Sequence, residues 1–461
     1  MRASPAIWTF LVCASLCAAS GSAAPGNPPV AISGTLTWAR SEAGLQGTET
    51  VVFAGSDFRD TQQMGPFVSS YGRFKGQTWH RNENGLTVLT TQPSHDDRLT
   101  AASLSDVSAT LDRPVIHREL AFPDRRISID YDEYALTGGR LLPRHIHAAD
   151  SLGSANDVDL RLTDFSDAPP PAGAVSIETN ARRFDRFPPG VTRVRLSARF
   201  SGPRVIVRVA LGDQNLDFQL DSGASGIVID RGLVTRLGLT TYGNFVGMSA
   251  RAYPASLTIV PEMAIGTIRS RDVVAEVAPV GFAADGSTEV VGLLGFDFIA
   301  DAVIHVDYKN EIVEAIEPSS FDASSIARSI EVPIGLDSGI PIASALVDGS
   351  GGSRFVVDTG AFGVVVSPKF ARAHGLSEIP QGATLSSIEQ PARVIGGAVT
   401  LAKLHFSSFG FRGATFSNLE GYRLNDVPLF NDEIDGLIGY SYLKNFELYF
   451  DYANGRLILV R

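Results

Sequence analysis

The chain has 461 residues, of which 44% are hydrophobic and 19% are charged, a composition typical of a folded globular protein. Its formal net charge of −11 argues against nucleic acid or an anionic membrane surface as the main partner, because both require basic patches. The length exceeds that of one ordinary domain, so two or three domains are expected.

The first 24 residues are typical of a secretory signal peptide. Arg2 supplies positive charge, the apolar stretch "AIWTFLVCASLCAA" follows, and the small residues Ser22–Ala24 form a plausible cleavage site. The apolar run is shorter than the ~20 residues of a spanning helix. Cys13 and Cys17 both lie within it, so the mature chain would have no disulfide, thiol nucleophile or cysteine-bound metal. The sequence therefore predicts a periplasmic or secreted protein.

Residues 25–165 are predicted to form an N-terminal β domain, followed by a linker at 166–190. Runs such as "GLTVLTT" and "RISIDYDEYAL" alternate apolar and polar residues, as half-buried antiparallel strands do. The linker begins with the Pro-rich stretch "SDAPPPAGA". The strand pattern of "GQTWHRNENGLTVL" and "YALTGGRLLPRHIHA" resembles that of periplasmic lipoprotein-carrier-like domains. That resemblance implies an apolar groove for a lipid or a peptide, with shielding of a cleft or docking of the chain as alternatives.

His145 and His147 are two residues apart, so both would lie on one face of a strand. This spacing is compatible with a metal site, but no third ligand is evident nearby. The interpretation is therefore a pair of surface histidines, and no metal is expected.

The stretch "FQLDSGASGIVID" places a carboxylate, Asp221, on a tight turn inside an apolar strand pattern. An isolated carboxylate in apolar surroundings is unfavourable, so a partner is expected. The stretch "FVVDTGAFGVVVS" supplies that partner, because Asp358 precedes Thr359-Gly360-Ala361 as Asp221 precedes Ser222-Gly223-Ala224. The two stretches indicate an internal repeat.

The repeat extends on both sides of these turns. Asp337-Ser338-Gly339 has the same letters, but it lies where the first copy has a hairpin turn at Gly202, so it is assigned to structure. Downstream, "GLLGFDFI" is matched by "GLIGYSYL", and each is followed at the same spacing by an Asp-Tyr-x-Asn segment, "VDYKN" or "FDYAN". Matching at several places with the same spacing is far more specific than any one motif.

Two copies of one fold can pair about a pseudo-twofold axis, which would bring Asp221 and Asp358 face to face. Two carboxylates a few Å apart cannot both ionise readily, so they would share one proton. One then acts as a base and the other as an acid, which is what water attack on a peptide carbonyl needs. Gly223 and Gly360 would permit this close approach, since they carry no Cβ.

These turns, each with an apolar-apolar-Gly strand, resemble the active-site loops of aspartic proteases of the pepsin and retropepsin type. The resemblance covers about residues 190–461 and implies an all-β, bilobed, single-chain acid protease, with lobes at 191–318 and 319–461. It implies Asp221 and Asp358 as catalytic residues. It also implies that Ser222 and Thr359 hold the two loops together through their hydroxyls and are not nucleophiles.

Two features depart from the family pattern. The fifth motif position is Ser225, a candidate substrate-binding residue, in the first copy but Phe362 in the second, which puts polar substrate contacts there in doubt. Ala224 and Ala361 replace hydroxyl residues of pepsin-type loops, so the charged pair has fewer donors. We therefore expect a pH optimum milder than strongly acidic.

The family also has flap hairpins in the variable middle of each lobe. The candidates are "GMSARAYPASLTI" at residues 247–259 and "IGGAVTLAKL" at residues 395–404. Tyr253 is a candidate substrate-binding flap residue, with an exposed loop tyrosine as the alternative.

The leading hypothesis is an exported aspartic endopeptidase acting on a peptide or protein, without a cofactor and as a monomer, since both copies lie in one chain. The alternative is a non-catalytic peptide- or lipid-binding protein that retains the fold, which Phe362 favours. A third possibility is a lipid carrier whose activity lies in residues 30–165. The sequence does not give the cleavage specificity or which aspartate is ionised.

Overall fold

The computed structural model describes residues 8–9, 32–90, 99–105, 114–121, 125–137, 140–178, 187–249, 251–280, 282–284, 288–376, 389–395, 397–424 and 434–461. The chain divides into two compact units. The N-terminal unit comprises residues 15–181 and 242–246, and the C-terminal unit comprises residues 1–14, 182–241 and 247–461. Apart from residues 8–9, the predicted signal peptide lies outside the described residues.

The first described strand, β1 (Trp8–Thr9), belongs to the C-terminal unit. The N-terminal unit contains one large antiparallel sheet and a small hairpin. Its strands are β2 (Ile32–Glu42), β3 (Leu45–Gly55), β4 (Asp57–Met64), β5 (Phe67–Phe74), β6 (Gln77–Arg81), β7 (Thr87–Thr90), β8 (His117–Ala121), β9 (Arg126–Asp132), β10 (Ala135–Thr137), β11 (Arg140–Leu142), β12 (His145–Asp150) and β13 (Val158–Ser166). Ten of them form a sheet in the order β7-β6-β5-β4-β3-β2-β13-β12-β9-β8, and β10 pairs with β11. The predicted antiparallel sheet is confirmed, and the resemblance to lipoprotein carriers stays a prediction.

Alternate residues of these strands build the core of the N-terminal unit. Buried residues such as Trp38, Ile129 and Leu160 point to one face of the sheet, as period-two alternation requires. The short helix α1 (Ala101–Leu104) packs on that core and begins at Thr100, whose hydroxyl accepts from Ser103 N. A 3₁₀ turn lies at Ser154–Asn156.

The C-terminal unit contains the repeat predicted from the sequence, in two sheets. The strands of the first copy are β14 (Arg193–Arg195), β15 (Ala198–Ser201), β16 (Arg204–Leu211), β17 (Gln214–Leu220), β18 (Ile227–Asp230), β19 (Thr241–Met248), β20 (Ala252–Ile265), β21 (Ile268–Ala278), β22 (Phe282–Ala284), β23 (Thr288–Leu294), β24 (Val303–Asp307) and β25 (Ile312–Ile316). Those of the second copy are β26 (Ser329–Asp337), β27 (Ile340–Val347), β28 (Ser350–Val357), β29 (Val365–Val366), β30 (Glu389–Val394), β31 (Gly397–Phe411), β32 (Ala414–Leu424), β33 (Gly436–Ile438), β34 (Glu447–Asp451) and β35 (Arg456–Val460).

The helices among the described residues of the C-terminal unit are short. They are α2 (Arg231–Leu237), α3 (Phe296–Ile299), α4 (Pro368–Ala373) and α5 (Tyr440–Leu443), with 3₁₀ turns at Pro318–Ser320, Ala323–Ser325 and Tyr452–Asn454. No helix among the described residues is long and apolar enough to cross a membrane.

Strand pairing repeats between the copies. In the first sheet, β17 runs parallel to β23, and β18 pairs antiparallel with the same strand. In the second sheet, β28 runs parallel to β33, and β29 pairs antiparallel with it. Each strand that precedes a predicted catalytic aspartate is therefore central in its sheet, next to the strand that ends in the apolar-apolar-Gly motif.

The hairpin turns follow the local sequence. Ser338 and Gly339 have φ values of 48° and 84° and join β26 to β27, as a type I′ turn requires. This confirms that the Asp337-Ser338-Gly339 segment is a structural turn. Asp348 and Gly349 form a similar turn between β27 and β28.

The closing hairpins of the two copies, β24–β25 and β34–β35, meet in one sheet. Strands β24 and β34 pair antiparallel, with His305 opposite Tyr449. These two residues occupy equivalent places, ten residues after Gly295 and Gly439 respectively. The strand pairing is therefore symmetric about this residue pair, as expected for two copies related by a pseudo-twofold axis.

Candidate active site

Asp221 and Asp358 lie directly beyond the ends of equivalent strands. The apolar residues of β17 and β28 are buried, and the chain leaves each strand at the aspartate. Asp221 N donates to Leu294 O at 3.0 Å, and Asp358 N donates to Ile438 O at 3.0 Å. The backbone of each aspartate is thus fixed to the neighbouring apolar-apolar-Gly strand.

Glycines allow the two turns to approach closely. A Cβ at Gly223 would lie 2.7 Å from Asp358 Cγ, and a Cβ at Gly360 would lie 2.5 Å from Asp221 Oδ2. Real Cβ atoms essentially never approach another atom so closely. Each carboxyl therefore occupies the space that a side chain at the opposite turn would need, so the structure brings Asp221 and Asp358 together.

The two carboxyls form a buried pair. Both aspartates have 0% exposure, and each carboxyl lies close enough to the other to change its pKa. Gly223 N donates to Asp221 Oδ1 at 2.9 Å, whereas Asp358 Oδ1 accepts from Gly360 N at 2.7 Å and from Ala361 N at 3.1 Å. Neither Oδ2 atom receives a donor from another described residue. Two buried carboxyls this close cannot both ionise readily, so the pair is expected to hold one proton.

Burial raises the pKa of both aspartates. Charge repulsion from Asp358 raises the pKa of Asp221 further, to well above its usual range. Burial raises the pKa of Asp358 to about 7, and backbone donors, Gly360 N first, limit the increase. The pair therefore titrates as a unit in which Asp221 holds its proton more firmly.

Ser222 and Thr359 join the two loops through crossed hydrogen bonds. Ser222 Oγ donates to Val357 O at 2.8 Å and accepts from Thr359 N at 3.0 Å. Thr359 Oγ1 donates to Leu220 O at 3.0 Å and accepts from Ser222 N at 3.0 Å. Each hydroxyl thus satisfies two buried backbone groups of the opposite copy, which leaves neither free to act as a nucleophile.

The apolar-apolar-Gly strands end against these loops. Phe296 N, after Gly295, donates to Ala224 O at 3.0 Å, and Tyr440 N, after Gly439, donates to Ala361 O at 2.8 Å. A Cβ at Gly439 would lie 2.5 Å from Ala361 O. The glycine of each motif is needed because the loop carbonyl occupies the space of a side chain.

The fifth motif positions differ between the copies. Ser225 is partly exposed, whereas Phe362 is buried and packs edge-on against Tyr422 with ring centroids 4.9 Å apart. Position 297 and its counterpart, position 441, also differ, with Asp in the first copy and Ser in the second. Asp297 Oδ2 accepts from Ile227 N at 3.1 Å, whereas the buried Ser441 Oγ has no partner among the described residues.

The flap candidates lie at the tips of two hairpins, formed by β19 with β20 and by β30 with β31. Ser249 Oγ donates to Ile395 O at 2.6 Å, and a Cβ at Gly397 would lie 3.2 Å from Arg251 Cδ. The two tips therefore contact each other. Ala250 and Gly396 lie outside the described residues.

Tyr253 is not an exposed loop residue, and that alternative is wrong. Its exposure is 3%, and its ring lies where a Cβ at Gly247 would be. Its hydroxyl donates to Glu276 Oε1 at 2.8 Å. Burial raises the pKa of Glu276, and the hydrogen bond from Tyr253 opposes that increase. Sequence reasoning missed Glu276, because nothing in the local pattern pairs a strand carboxylate with a tyrosine of the adjacent hairpin.

The histidine pair of the N-terminal unit is held by carboxylates. His145 contacts Asp132 through Nδ1 at 2.9 Å and Asp159 through Nε2 at 2.7 Å, and His147 lies 3.7 Å from Asp159. Partial burial alone would lower the pKa of His145, but the hydrogen bonds to Asp159 and Asp132 outweigh it and raise the pKa. Within the part of the chain that the structure describes, no group of three or more metal-ligating side chains is placed to hold a metal.

Comparison with known families gives two matches within this chain. The family model described as aspartyl protease matches residues 207–298 and 343–442. One match falls on each copy of the repeat, and each includes the aspartate turn and the apolar-apolar-Gly strand. The matches support an aspartyl protease family, for which the substrate class is a peptide or protein.

The chain is similar to a retropepsin-like aspartic protease from Rickettsia conorii, with 21% identity and a TM-score of 0.20, over 28% of this chain and 88% of that one. No curated protein matches the chain.

Proposed function

We propose that this protein is an exported, bilobed aspartic endopeptidase in which Asp221 and Asp358 activate water against a peptide carbonyl. The observation that supports the proposal best is the buried carboxyl pair, formed by equivalent turns that are held together by crossed hydroxyl bonds. A binding protein has no evident use for two matched carboxyls that share one proton. The family match on both copies supports the same reaction class.

The hydrogen bonds favour Asp358 as the ionised member of the pair. Its carboxyl interacts with the backbone N–H groups of Gly360, Ala361 and Gly223, whereas that of Asp221 interacts with those of Gly223 and Ala224. Donors to a carboxylate stabilise its charged form. We therefore assign Asp358 as the base and Asp221 as the acid.

The reaction follows from that assignment. Asp358 accepts a proton from the substrate water while the water oxygen bonds to the carbonyl carbon, and Asp221 donates its proton to the carbonyl oxygen. The resulting diol collapses when the C–N bond breaks. The leaving nitrogen takes the proton held by Asp358, and a diol hydroxyl returns a proton to Asp221. Both carboxyls thereby regain their starting protonation, and no cofactor is needed.

The proposal also includes a mild pH optimum. The two Oδ2 atoms have no donor from other described residues, so little stabilises a second negative charge in the pair. Burial already raises the pKa of Asp358 to about 7. The singly ionised pair, which is the active form, should therefore form as the pH rises toward 7 and be scarce in strong acid.

The test is cleavage of a diverse peptide pool by the mature protein between pH 3 and 8, beside Asp358→Asn prepared in the same way. Gly335→Ala is a matched control, since a Cβ there has open space. Cleavage by the wild type and the control, with none by Asp358→Asn, supports the proposal. Equal cleavage by all three would refute the assignment of the aspartates.

The buried Phe362 favours a second candidate, a peptide-binding protein without turnover, because it removes a polar contact position beside one aspartate. The two candidates differ in what Asp221→Asn does. A protease variant should bind peptide without cleaving it, whereas a binder should show no cleavage in the wild type. Peptide affinity and turnover measured on both proteins separate the two.

Export, a monomeric state and a ligand for the N-terminal unit are further parts of the proposal. They are checked by N-terminal sequencing of the mature protein, by its mass in solution, and by lipid analysis of the purified chain. A chain retained in the cytoplasm at full length would refute export.

A further inference from the structure

Two tyrosines occupy equivalent positions behind the aspartate pair. Tyr308 and Tyr452 are the tyrosines of the Asp-Tyr-x-Asn segments, each 13 residues after the glycine of its copy, Gly295 or Gly439. They follow β24 and β34, the two strands that pair antiparallel with the equivalent residues His305 and Tyr449 opposite each other. The repeat therefore places one phenol on each side of the same axis as the aspartates.

Each tyrosine packs on a residue that is bonded to the opposite copy's aspartate loop. Tyr452 stacks on Phe296 with centroids 6.3 Å apart, and Phe296 N donates to Ala224 O beside Asp221. Tyr308 packs edge-on against Tyr440 at 5.5 Å, and Tyr440 N donates to Ala361 O beside Asp358. Each tyrosine therefore reaches across to the other copy, as the hydroxyls of Ser222 and Thr359 do. The ring of Phe296 or Tyr440 connects each tyrosine to the aspartate loop of that copy.

The hydroxyls of Tyr308 and Tyr452 are both buried and have no hydrogen-bond partner among the described residues. An unsatisfied buried hydroxyl costs about 1–3 kcal/mol, so a pair of them at equivalent positions calls for an explanation. The Oδ2 atoms of Asp221 and Asp358 lack donors in the same way. The region around the axis thus holds two uncommitted O–H groups and a carboxyl pair with uncommitted acceptors.

The charges of the aspartates act on both tyrosines. Burial raises the pKa of Tyr452, and the negative charge first of Asp221 and then of Asp358 raises it further. Burial also raises the pKa of Tyr308, and the charges first of Tyr440 and then of Asp358 raise it further. Both phenols therefore stay protonated over the whole pH range in which an aspartate pair works.

Other titratable groups near the tyrosines are already engaged. Asp307 binds Asn310 within its hairpin, and Asp451 binds Asn454 and Arg456. Tyr440 faces Tyr308 and carries the Lys444 ammonium over its ring at 5.1 Å. The carboxyl charges that act on the two hydroxyls are those of the aspartate pair, Asp221 and Asp358 on Tyr452 and Asp358 on Tyr308.

We propose that Tyr308 and Tyr452 are positioning residues that stabilise the singly ionised aspartate pair by turning their O–H dipoles toward it. A hydroxyl with no other partner rotates to follow the local field, and its positive end then lowers the energy of the carboxylate. The inference deepens the proposed function, because it assigns the groups that set where the pair ionises. The phenols replace donors that Ala224 and Ala361 cannot supply.

The test uses Tyr308→Phe, Tyr452→Phe and the double variant, with Tyr442→Phe as control. The Tyr442 hydroxyl donates to Ala414 O at 2.7 Å and accepts from Phe411 N at 3.1 Å, and neither aspartate acts on its pKa. We expect the acid limb of kcat/KM to move up by about 0.5 pH unit in each single variant and about 1 unit in the double. Their melting temperatures should not fall, since no hydrogen bond is lost. The control should lose stability and keep the wild-type profile.

A second readout does not depend on turnover. The carboxyl carbons of aspartate can be labelled with ¹³C and titrated by NMR in the full chain, with Asp221→Asn and Asp358→Asn to assign the pair. The first ionisation should shift upward in the double tyrosine variant by the same amount as the acid limb. An unchanged first ionisation overturns the inference even if the wild type cleaves peptides. If the wild type is inert, the proposed function fails while the titration still decides the role of the tyrosines.

Discussion

The hydroxyl of Thr359 should be the most important single group for the stability of the paired loops. It is buried and bonds both Leu220 O and Ser222 N at 3.0 Å across the two copies. Thr359→Val keeps the side-chain shape but leaves both backbone groups unpaired in the interior. At about 1–3 kcal/mol for each stranded group, the expected loss is about 3 kcal/mol.

Native-state hydrogen exchange followed by mass spectrometry measures this loss where it occurs. A decrease of about 3 kcal/mol in the free energy of local opening corresponds to roughly hundredfold faster amide exchange, provided that exchange occurs through that opening. Peptides from β17 and β28 should show that acceleration, and peptides from β3 in the N-terminal unit should not.

Thr359→Ser is the matched control, because it retains the hydroxyl and removes only a methyl group. It should exchange within about tenfold of the wild type, as expected for about 1 kcal/mol. Exchange of Thr359→Val within threefold of the wild type would refute the claim that the crossed bonds hold the loops together.

Three further predictions concern the pair and its surroundings. Gly360→Ala should displace the Asp221 carboxyl, whose Oδ2 lies 2.5 Å from the new Cβ, and lower kcat by at least about 100-fold, while Gly335→Ala keeps full activity. The raised pKa of Asp358, about 7, means that its contribution to folding is fully present below about pH 4 and lost as pH rises through 7. Thermal melts should therefore show wild-type stability falling across that window and Asp358→Asn falling less steeply, since only the raised pKa of Asp221 remains in the variant. Parallel curves would contradict the burial argument. The raised pKa of His145 means that its ion pairs stabilise the fold below about pH 6.5 and are lost above its folded pKa. His145→Gln should then lower the melting temperature more at pH 5 than at pH 9, and an equal decrease at both would count against a charged His145.

The repeat could be read from the sequence because its signals are local. Turn residues, apolar strand runs and their spacing locate both aspartates, and they separate Asp337-Ser338-Gly339 from the true motif turns. The close approach of the turns also follows from the sequence, since Gly223 and Gly360 are the residues that permit it.

Features that depend on long-range contacts could not be predicted. Phe362 packs on Tyr422 of a distant strand, and Tyr253 is buried through Gly247 and Glu276. No local pattern specifies such pairs, because they arise from how strands align in the sheet.

The protonation asymmetry of the pair is likewise a property of the folded backbone. It depends on how many N–H groups reach each carboxyl, and the near-identical motif letters cannot show this. The tyrosines behind the pair are different, because their signal was present in the repeated Asp-Tyr-x-Asn segment. Their significance appears only once both hydroxyls are seen to be buried without partners.

The central claim is that the two carboxyls act as one catalytic unit. The most direct measurement is kcat/KM for Asp221→Asn, Asp358→Asn and the double variant on the best peptide from the pool. Residues that act as a unit are strongly non-additive, so each single variant should lose nearly as much activity as the double. Losses that add on a logarithmic scale, or a single variant with activity close to that of the wild type, would contradict the shared-proton pair.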